Sequence, residues 1–243
     1  SDILTKMDKE SANFDGTLKK AQEIGYAKKN PSADIEGFDA CRKIAILSSL
    51  MSGKNVKFGD IPTEGITKIT ADDFKYAHYM GRTIKLLANS EQNDEGIYAM
   101  VAPFLISDDN PLFMVNDVFN AIFVHGNTLG DTMYYGSGAG KLPTASAVVS
   151  DVIDSVRHLG VCTSCYWSEE DMALLSMDKI KHRFFVRLHA ADKDKAADIF
   201  DVKEEISAQV SGEYAFITGS MTEKSIADAE TKVNVINRIR IEQ

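Results

Sequence analysis

The sequence predicts an α+β protein in two parts. A mixed sheet with packed helices occupies residues 1–160, and a β-α-β-β-α-β module of ferredoxin-like topology occupies residues 183–243, with a linker at 161–182. Three observations predict this. The chain opens on helical periodicity, with Phe14, Leu18, Ala21 and Ile24 on one face. Strand-like runs follow only after about eighty residues. Beyond the polar stretch Gly160 to Lys181 the pattern changes to short alternating strands separated by helical segments.

The elements follow in order. Ser1 to Glu10 reads as the remainder of a helix, a start expected of a piece cut from something longer. Phe14 to Ile24 is an amphipathic helix that Gly25 stops. A loop leads into a long helix from Asp34 to Met51, ended by Ser52-Gly53. Thr70 caps a helix running to Met80, with Asp72 and Asp73 where the helix dipole favours negative charge. Thr83 to Ala88 and Ile97 to Ile106 read as strands, and Asn120 to Val124 and Asp131 to Tyr135 as a hairpin. The glycine-rich run Gly136 to Gly140 opens a helix from about Thr144 to Leu159. In the second part, Phe184 to His189, Gln209 to Ser211, Tyr214 to Thr218 and Val235 to Ile241 are strands. Lys195 to Ser207 and Thr222 to Val233 are helical.

Bulk properties exclude several classes. The chain has 243 residues, 44% of them hydrophobic and 26% charged, which suits a globular protein with a sizeable core. Its net charge of -9 argues against nucleic acid or an anionic membrane as partner. No apolar run reaches the length of a membrane span. Three cysteines point to a reducing compartment, and so to a cytoplasmic location, rather than a disulfide framework.

The chemistry-bearing residues cluster between Gly25 and Lys43. Asp39 and Lys43 are four apart and share a helix face. The following Ile44-Ala45-Ile46-Leu47 is apolar nearly all round, which predicts a buried helix. Two readings stand side by side: an ordinary i,i+4 ion pair, and a lysine that moves a proton while a neighbouring carboxylate holds it. Asp34 reads as a helix cap or as a further acid of the same site. The glycine-rich run matches neither a P-loop nor a dinucleotide fingerprint. It is either a tight connection or a close approach to a ligand. Cys162 and Cys165 form one C-x-x-C pair without a second, and no metal site is expected. The remaining histidines read as surface or packing residues.

The run Gly25-Tyr26-Ala27-Lys28-Lys29-Asn30-Pro31 through Asp34, Gly37, Asp39 and Lys43 resembles the homoserine dehydrogenase catalytic-domain pattern. Collinear matches include Glu64-Gly65-Ile66, Ile84-Lys85-Leu86-Leu87, Asn120-Ala121, Tyr135 to Gly140 and Pro143-Thr144-Ala145. They span about residues 1–159, and the tail resembles an ACT regulatory domain. The resemblance implies NAD(P)-dependent interconversion of L-homoserine and L-aspartate 4-semialdehyde, on the route to threonine, methionine and isoleucine. It implies a substrate-binding and dimer-forming role for residues 1–160, and a homodimer. Lys43 matches the catalytic lysine, Asp39 and Asp34 match substrate-site carboxylates, and Gly138 falls near a cofactor contact. NAD(P) is then bound mainly by an N-terminal domain absent from this sequence, since no G-x-G-x-x-G occurs in it.

The departures are specific. Lys28 stands where the pattern has a glutamate that holds the substrate amine, and Asn30 replaces an acid. Asp192-Lys193-Asp194-Lys195 replaces an Asp-x-Pro-Gly turn of the ACT pattern. These departures keep a second expectation open: a non-catalytic oligomerisation or regulatory protein derived from such an enzyme.

Overall fold

The computed structural model describes residues 2–10, 14–23, 32–162, 164 and 166–242. The segment 24–31, with Lys28 and Asn30, lies outside the described residues, as do Thr163 and Cys165 of the C-x-x-C run.

Helices α1 (Asp2–Glu10) and α2 (Phe14–Glu23) fall where the apolar spacing places them. The long helix expected from Asp34 is broken. A single turn, α3 (Ser32–Ile35), precedes α4 (Phe38–Ser52), and between them Gly37 adopts φ 81°. That left-handed conformation cannot continue a right-handed helix. α4 ends at Gly53, whose N–H donates to the Ser49 carbonyl at 2.9 Å. α5 (Ala71–Tyr79) starts with the expected cap in full: Thr70 Oγ1 accepts from the Asp73 N–H, and the Asp73 carboxylate accepts from the Thr70 N–H.

β1 (Arg82–Asn93) and β2 (Gly96–Ser107) form a long antiparallel hairpin, whose first strand runs five residues past the end of the apolar run. Main-chain pairing across the hairpin carries the polar stretch Asn89 to Asn93 into the ladder. β3 (Phe119–Gly126) and β4 (Gly130–Ser137) make a separate two-stranded sheet that leads into α6 (Lys141–Arg157).

The second part contains β5 (Lys181–His189), α7 (Lys193–Ile199), β6 (Val202–Ile206), β7 (Glu213–Thr218), the two-residue β8 (Met221–Thr222), α8 (Glu223–Glu230) and β9 (Val235–Ile241). The helix expected through Ser207 stops at Ile199, and the strand expected at Gln209 to Ser211 is a turn. Pairing of β6 with β7 overrides the helical preference of Lys203-Glu204-Glu205. β9, β5, β7 and β6 lie side by side in that order. Counted within the module, this is the fourth, first, third and second strand, the order of the ferredoxin-like fold.

The two parts share one sheet. β9 pairs in parallel with β2, Phe104 opposite Arg240 and Leu105 opposite Ile241, giving the order β1-β2-β9-β5-β7-β6. Their core is shared as well: Leu4 and Met7 of α1 and Phe74 and Tyr76 of α5 pack with Phe185, Ile217, Ile239 and Ile241. On the opposite face of the module, Phe184, Phe216 and Ile226 pack beneath α7 and α8. α4 covers β1 and β2 through Cys41, Ile44 and Ala45.

Candidate active site

α4 is the scaffold of the predicted site. Cys41, Ile44, Ala45, Ser48 and Ser49 are its buried positions, spaced as one helical stripe over β1 and β2. Asp39, Lys43, Ile46 and Leu50 form the opposite stripe, with Ile46 51% and Leu50 43% exposed. The expectation of a helix buried all round is therefore corrected. Ser48 and Ser49 complete the inward stripe, and the apolar run Ile44 to Leu47 divides between two faces.

The structure places the sequence-predicted residues as follows. Lys43 Nζ lies 2.7 Å from Asp39 Oδ2, and the two side chains are 66% and 51% exposed. Asp34 sits exposed in the single turn α3, just ahead of the Gly37 break. Asp34 precedes Asp39 by five residues, across the Glu36-Gly37 turn that joins α3 to α4. Gly138 lies elsewhere, between the hairpin and α6. Its N–H donates to the Val118 carbonyl at 3.0 Å, and the Asn120 amide fills the space that a Cβ would need. Ile46 and Leu50 add apolar surface along the stripe that carries Asp39 and Lys43. A carboxylate paired with an ammonium on a partly apolar helix face can bind an amine through the one, and stabilise an oxyanion and pass a proton through the other.

Two depressions stand out among the described residues, and neither is lined by Asp34, Asp39 or Lys43. A cavity of about 520 Å³ lies at the seam of the two parts, among Glu64, Lys68, Glu230, Lys232, Asn237 and Arg238. A shallow groove of about 350 Å³ runs along α6 past Val148, Val152, Val156 and Leu159. Among the described residues, no group of three His, Cys, Asp or Glu side chains is placed to hold a metal ion.

The seam holds ionic networks that sequence reading missed. Arg187 of β5, 2% exposed, donates to Asp73 of α5 and to both oxygens of Glu213. Arg240 of β9 donates twice to Glu223, at 2.6 and 2.7 Å, and once to Glu64 at 2.9 Å. His182, expected to be a surface or packing residue, is buried and pairs with Glu223 at 3.0 Å. Burial alone would raise the Glu223 carboxyl, but the hydrogen bonds from His182 and Arg240 outweigh it and hold it at about 2. The available signal was the alternation Arg238-Ile239-Arg240-Ile241, which puts both arginines on one face of a strand.

Comparison with known proteins identifies the family. Residues 1–153 match the family model described as Homoserine dehydrogenase. A homoserine dehydrogenase of Synechocystis is 46% identical over 190 residues, which cover 76% of this chain and 42% of the relative. The crystal structure of a homoserine dehydrogenase from Thiobacillus denitrificans superposes with a TM-score of 0.87 at 33% identity, covering 100% of this chain and 61% of that one. A hyperthermophilic archaeal homoserine dehydrogenase in complex with NADPH superposes with a TM-score of 0.52 at 31% identity, over 64% of this chain and 44% of that one. The chain thus spans less than half the length of the Synechocystis relative, and it aligns along its whole length with the Thiobacillus structure. By the matched family model, which spans well over half of the sequence, the chain belongs to the homoserine dehydrogenase family.

Proposed function

We propose that this chain is the substrate-binding portion of an NAD(P)-dependent homoserine dehydrogenase, interconverting L-homoserine and L-aspartate 4-semialdehyde. The observation that carries the reading is the Asp39–Lys43 pair on the outer stripe of α4, in a chain of this family. NAD(P)H supplies the hydride in such a reaction, as the NADPH-bound archaeal relative agrees. This chain has no dinucleotide fingerprint, so the bulk of the cofactor is assigned to the part of the enzyme that these residues do not include.

The roles of the chain's own residues follow from charge. In the reducing direction Lys43 faces the carbonyl oxygen, stabilises the negative charge that develops there and gives it a proton. Asp39 holds the Lys43 ammonium in place, and Asp39 and Asp34 together attract the amino group of the substrate. Gly138, beside the Asn120 amide, is the cofactor-facing contact on the hairpin–α6 arm. Lys28 belongs to the same substrate site, and as a cation it opposes amine binding there. That opposition is what favours the second reading, a non-catalytic family member. One assay separates the two: a full-length family enzyme carrying these 243 residues, with and without Lys43→Met. The unmutated enzyme oxidises homoserine, and Lys43→Met lowers kcat by about 10²–10⁴-fold. Activity within threefold of the parent would remove Lys43 from the chemistry.

The same reading divides the chain at 1–160, 161–182 and 183–243, with the last part an ACT-like module. It also makes the protein a homodimer. Support for the dimer comes from α6, which buries no residue of its own and leaves Val148, Val149, Val152 and Val156 each more than half exposed. Sedimentation of the chain is expected to show a dimer, and Val152→Glu a monomer. A monomer without the substitution would refute the assignment. The free thiols of Cys41 and Cys162 support a cytoplasmic location, which cell fractionation checks.

A further inference from the structure

Glu64 links the second part of the chain to the 62–66 segment, which packs on the α3–α4 turn of the candidate active site. Its carboxylate oxygen Oε2 accepts from Arg240 at 2.9 Å and from Arg238 at 3.5 Å, both on β9. Arg240 is itself buried and anchored by two bonds to Glu223 of α8, and Arg238 is anchored by Glu230 of the same helix at 2.7 Å. The Glu64 main chain lies on the edge of β2. Its N–H donates to the Val101 carbonyl at 2.7 Å, and the Val101 N–H donates to Pro62 at 2.9 Å. β9 takes over the same edge three residues later, at Phe104 and Leu105.

From Glu64 the contact passes directly to the α3–α4 turn. The next residue, Gly65, packs so tightly on the Ile35 carbonyl and the Glu36 backbone that a Cβ there has no room. The Ile66 N–H then donates to the Ile35 carbonyl at 2.8 Å. Ile35 and Glu36 lie between Asp34 and Asp39. The exposed site residues are thus fixed from below by a backbone hydrogen bond, a close glycine contact and, two steps away, a pair of arginines from the C-terminal module.

We propose that Glu64 is a positioning residue for the Asp34–Asp39–Lys43 site, and that Arg240 and Arg238 set its position from the C-terminal module. This rests on the substrate-site reading above and adds to it the route by which a change in residues 183–243 reaches that site. Loss of the Glu64 carboxylate frees the 62–66 segment, moves the Ile35 carbonyl and misplaces both carboxylates relative to Lys43. Small misplacements of this kind lower the rate steeply.

Two measurements on Glu64→Ala and Glu64→Gln test it. In the full-length enzyme carrying these residues, Glu64→Ala lowers kcat/KM for homoserine at least tenfold and leaves the KM for NAD(P) within twofold. Glu64→Gln, which still accepts from Arg240, recovers most of the loss. In the 243-residue chain, the amides of Ile66 and of 35–38 exchange hydrogen faster in Glu64→Ala, while those of β7 keep their parent rates. Unchanged homoserine kinetics with unchanged exchange would overturn the proposal. Equal acceleration over the whole sheet would also overturn it, reducing Glu64 to a general structural role. If the unmutated enzyme fails to turn over homoserine, the substrate-site reading falls, and the exchange result alone decides whether the arginines hold the α3–α4 turn.

Discussion

Asp39–Lys43 on α4 and Asp73–Arg187 at the seam are built from the same chemistry, a carboxylate against a cation. Their surroundings differ. The first pair stands on an open helix face, with Lys43 66% exposed. The second is enclosed: Asp73 is 0% and Arg187 2% exposed, Glu213 supplies a second carboxylate, and the Tyr76 ring lies 5.3 Å from the guanidinium carbon. A charge in water is available to a ligand and contributes little to folding. A charge out of water is unavailable, and it is tolerated only while every partner stays in place. The contrast separates the surface that can do chemistry from the seam that holds the two parts of the chain in one sheet.

Removal of the enclosed cation is expected to cost the most stability. Arg187→Met leaves the carboxylates of Asp73 and Glu213 without their cation, with only neutral donors remaining: Thr70 and Asn237 for Asp73, and the Tyr76 hydroxyl for Glu213. Loss of about 3–5 kcal/mol is expected in urea unfolding of the chain. A loss below about 1 kcal/mol would mean that water reaches the seam and that its ions are not held as the packing implies.

Acid acts on the second buried network, at Glu223. The Glu223 carboxyl is held at about 2, against an ordinary value of 4.5. A carboxyl depressed on folding stabilises the protein above its unfolded value, and the contribution is lost as the group takes up its proton. Stability therefore falls as pH drops from about 4.5 toward about 2. Glu223→Gln lowers stability at neutral pH and flattens that acid limb. An acid limb as steep in Glu223→Gln as in the parent would place the titration elsewhere.

Much of the fold was legible because it rests on local rules. The Thr70–Asp73 capping box, the Gly53 stop and the β9 alternation each follow from a few adjacent residues. The errors came where partners distant in sequence decide the outcome. Lys203-Glu204-Glu205 became an edge strand because β7 was available to pair with it. Ile46 and Leu50 face outward because β1 and β2 cover only one side of α4. At the candidate site, the spacing of Asp39 and Lys43 placed them on one face correctly, and the family resemblance assigned them roles. Neither could show that Glu64 ties that face to β9, since the arginines involved lie more than 170 residues further along the chain.

The smallest expected effect on stability is the most telling for function. Lys43→Met removes one half of an exposed i,i+4 pair, worth a few tenths of a kcal/mol. Asp39 remains solvated, and the buried stripe Cys41, Ile44 and Ala45 is untouched. The urea midpoint of the chain is expected to stay within about 0.5 kcal/mol of the parent, while turnover in the full-length enzyme is lost. A variant that unfolds as easily as Arg187→Met would show that Lys43 supports the helix rather than the reaction, and the difference between the two ion pairs would vanish. Loss of activity with stability retained is the outcome that only a solvent-facing, chemically employed lysine produces.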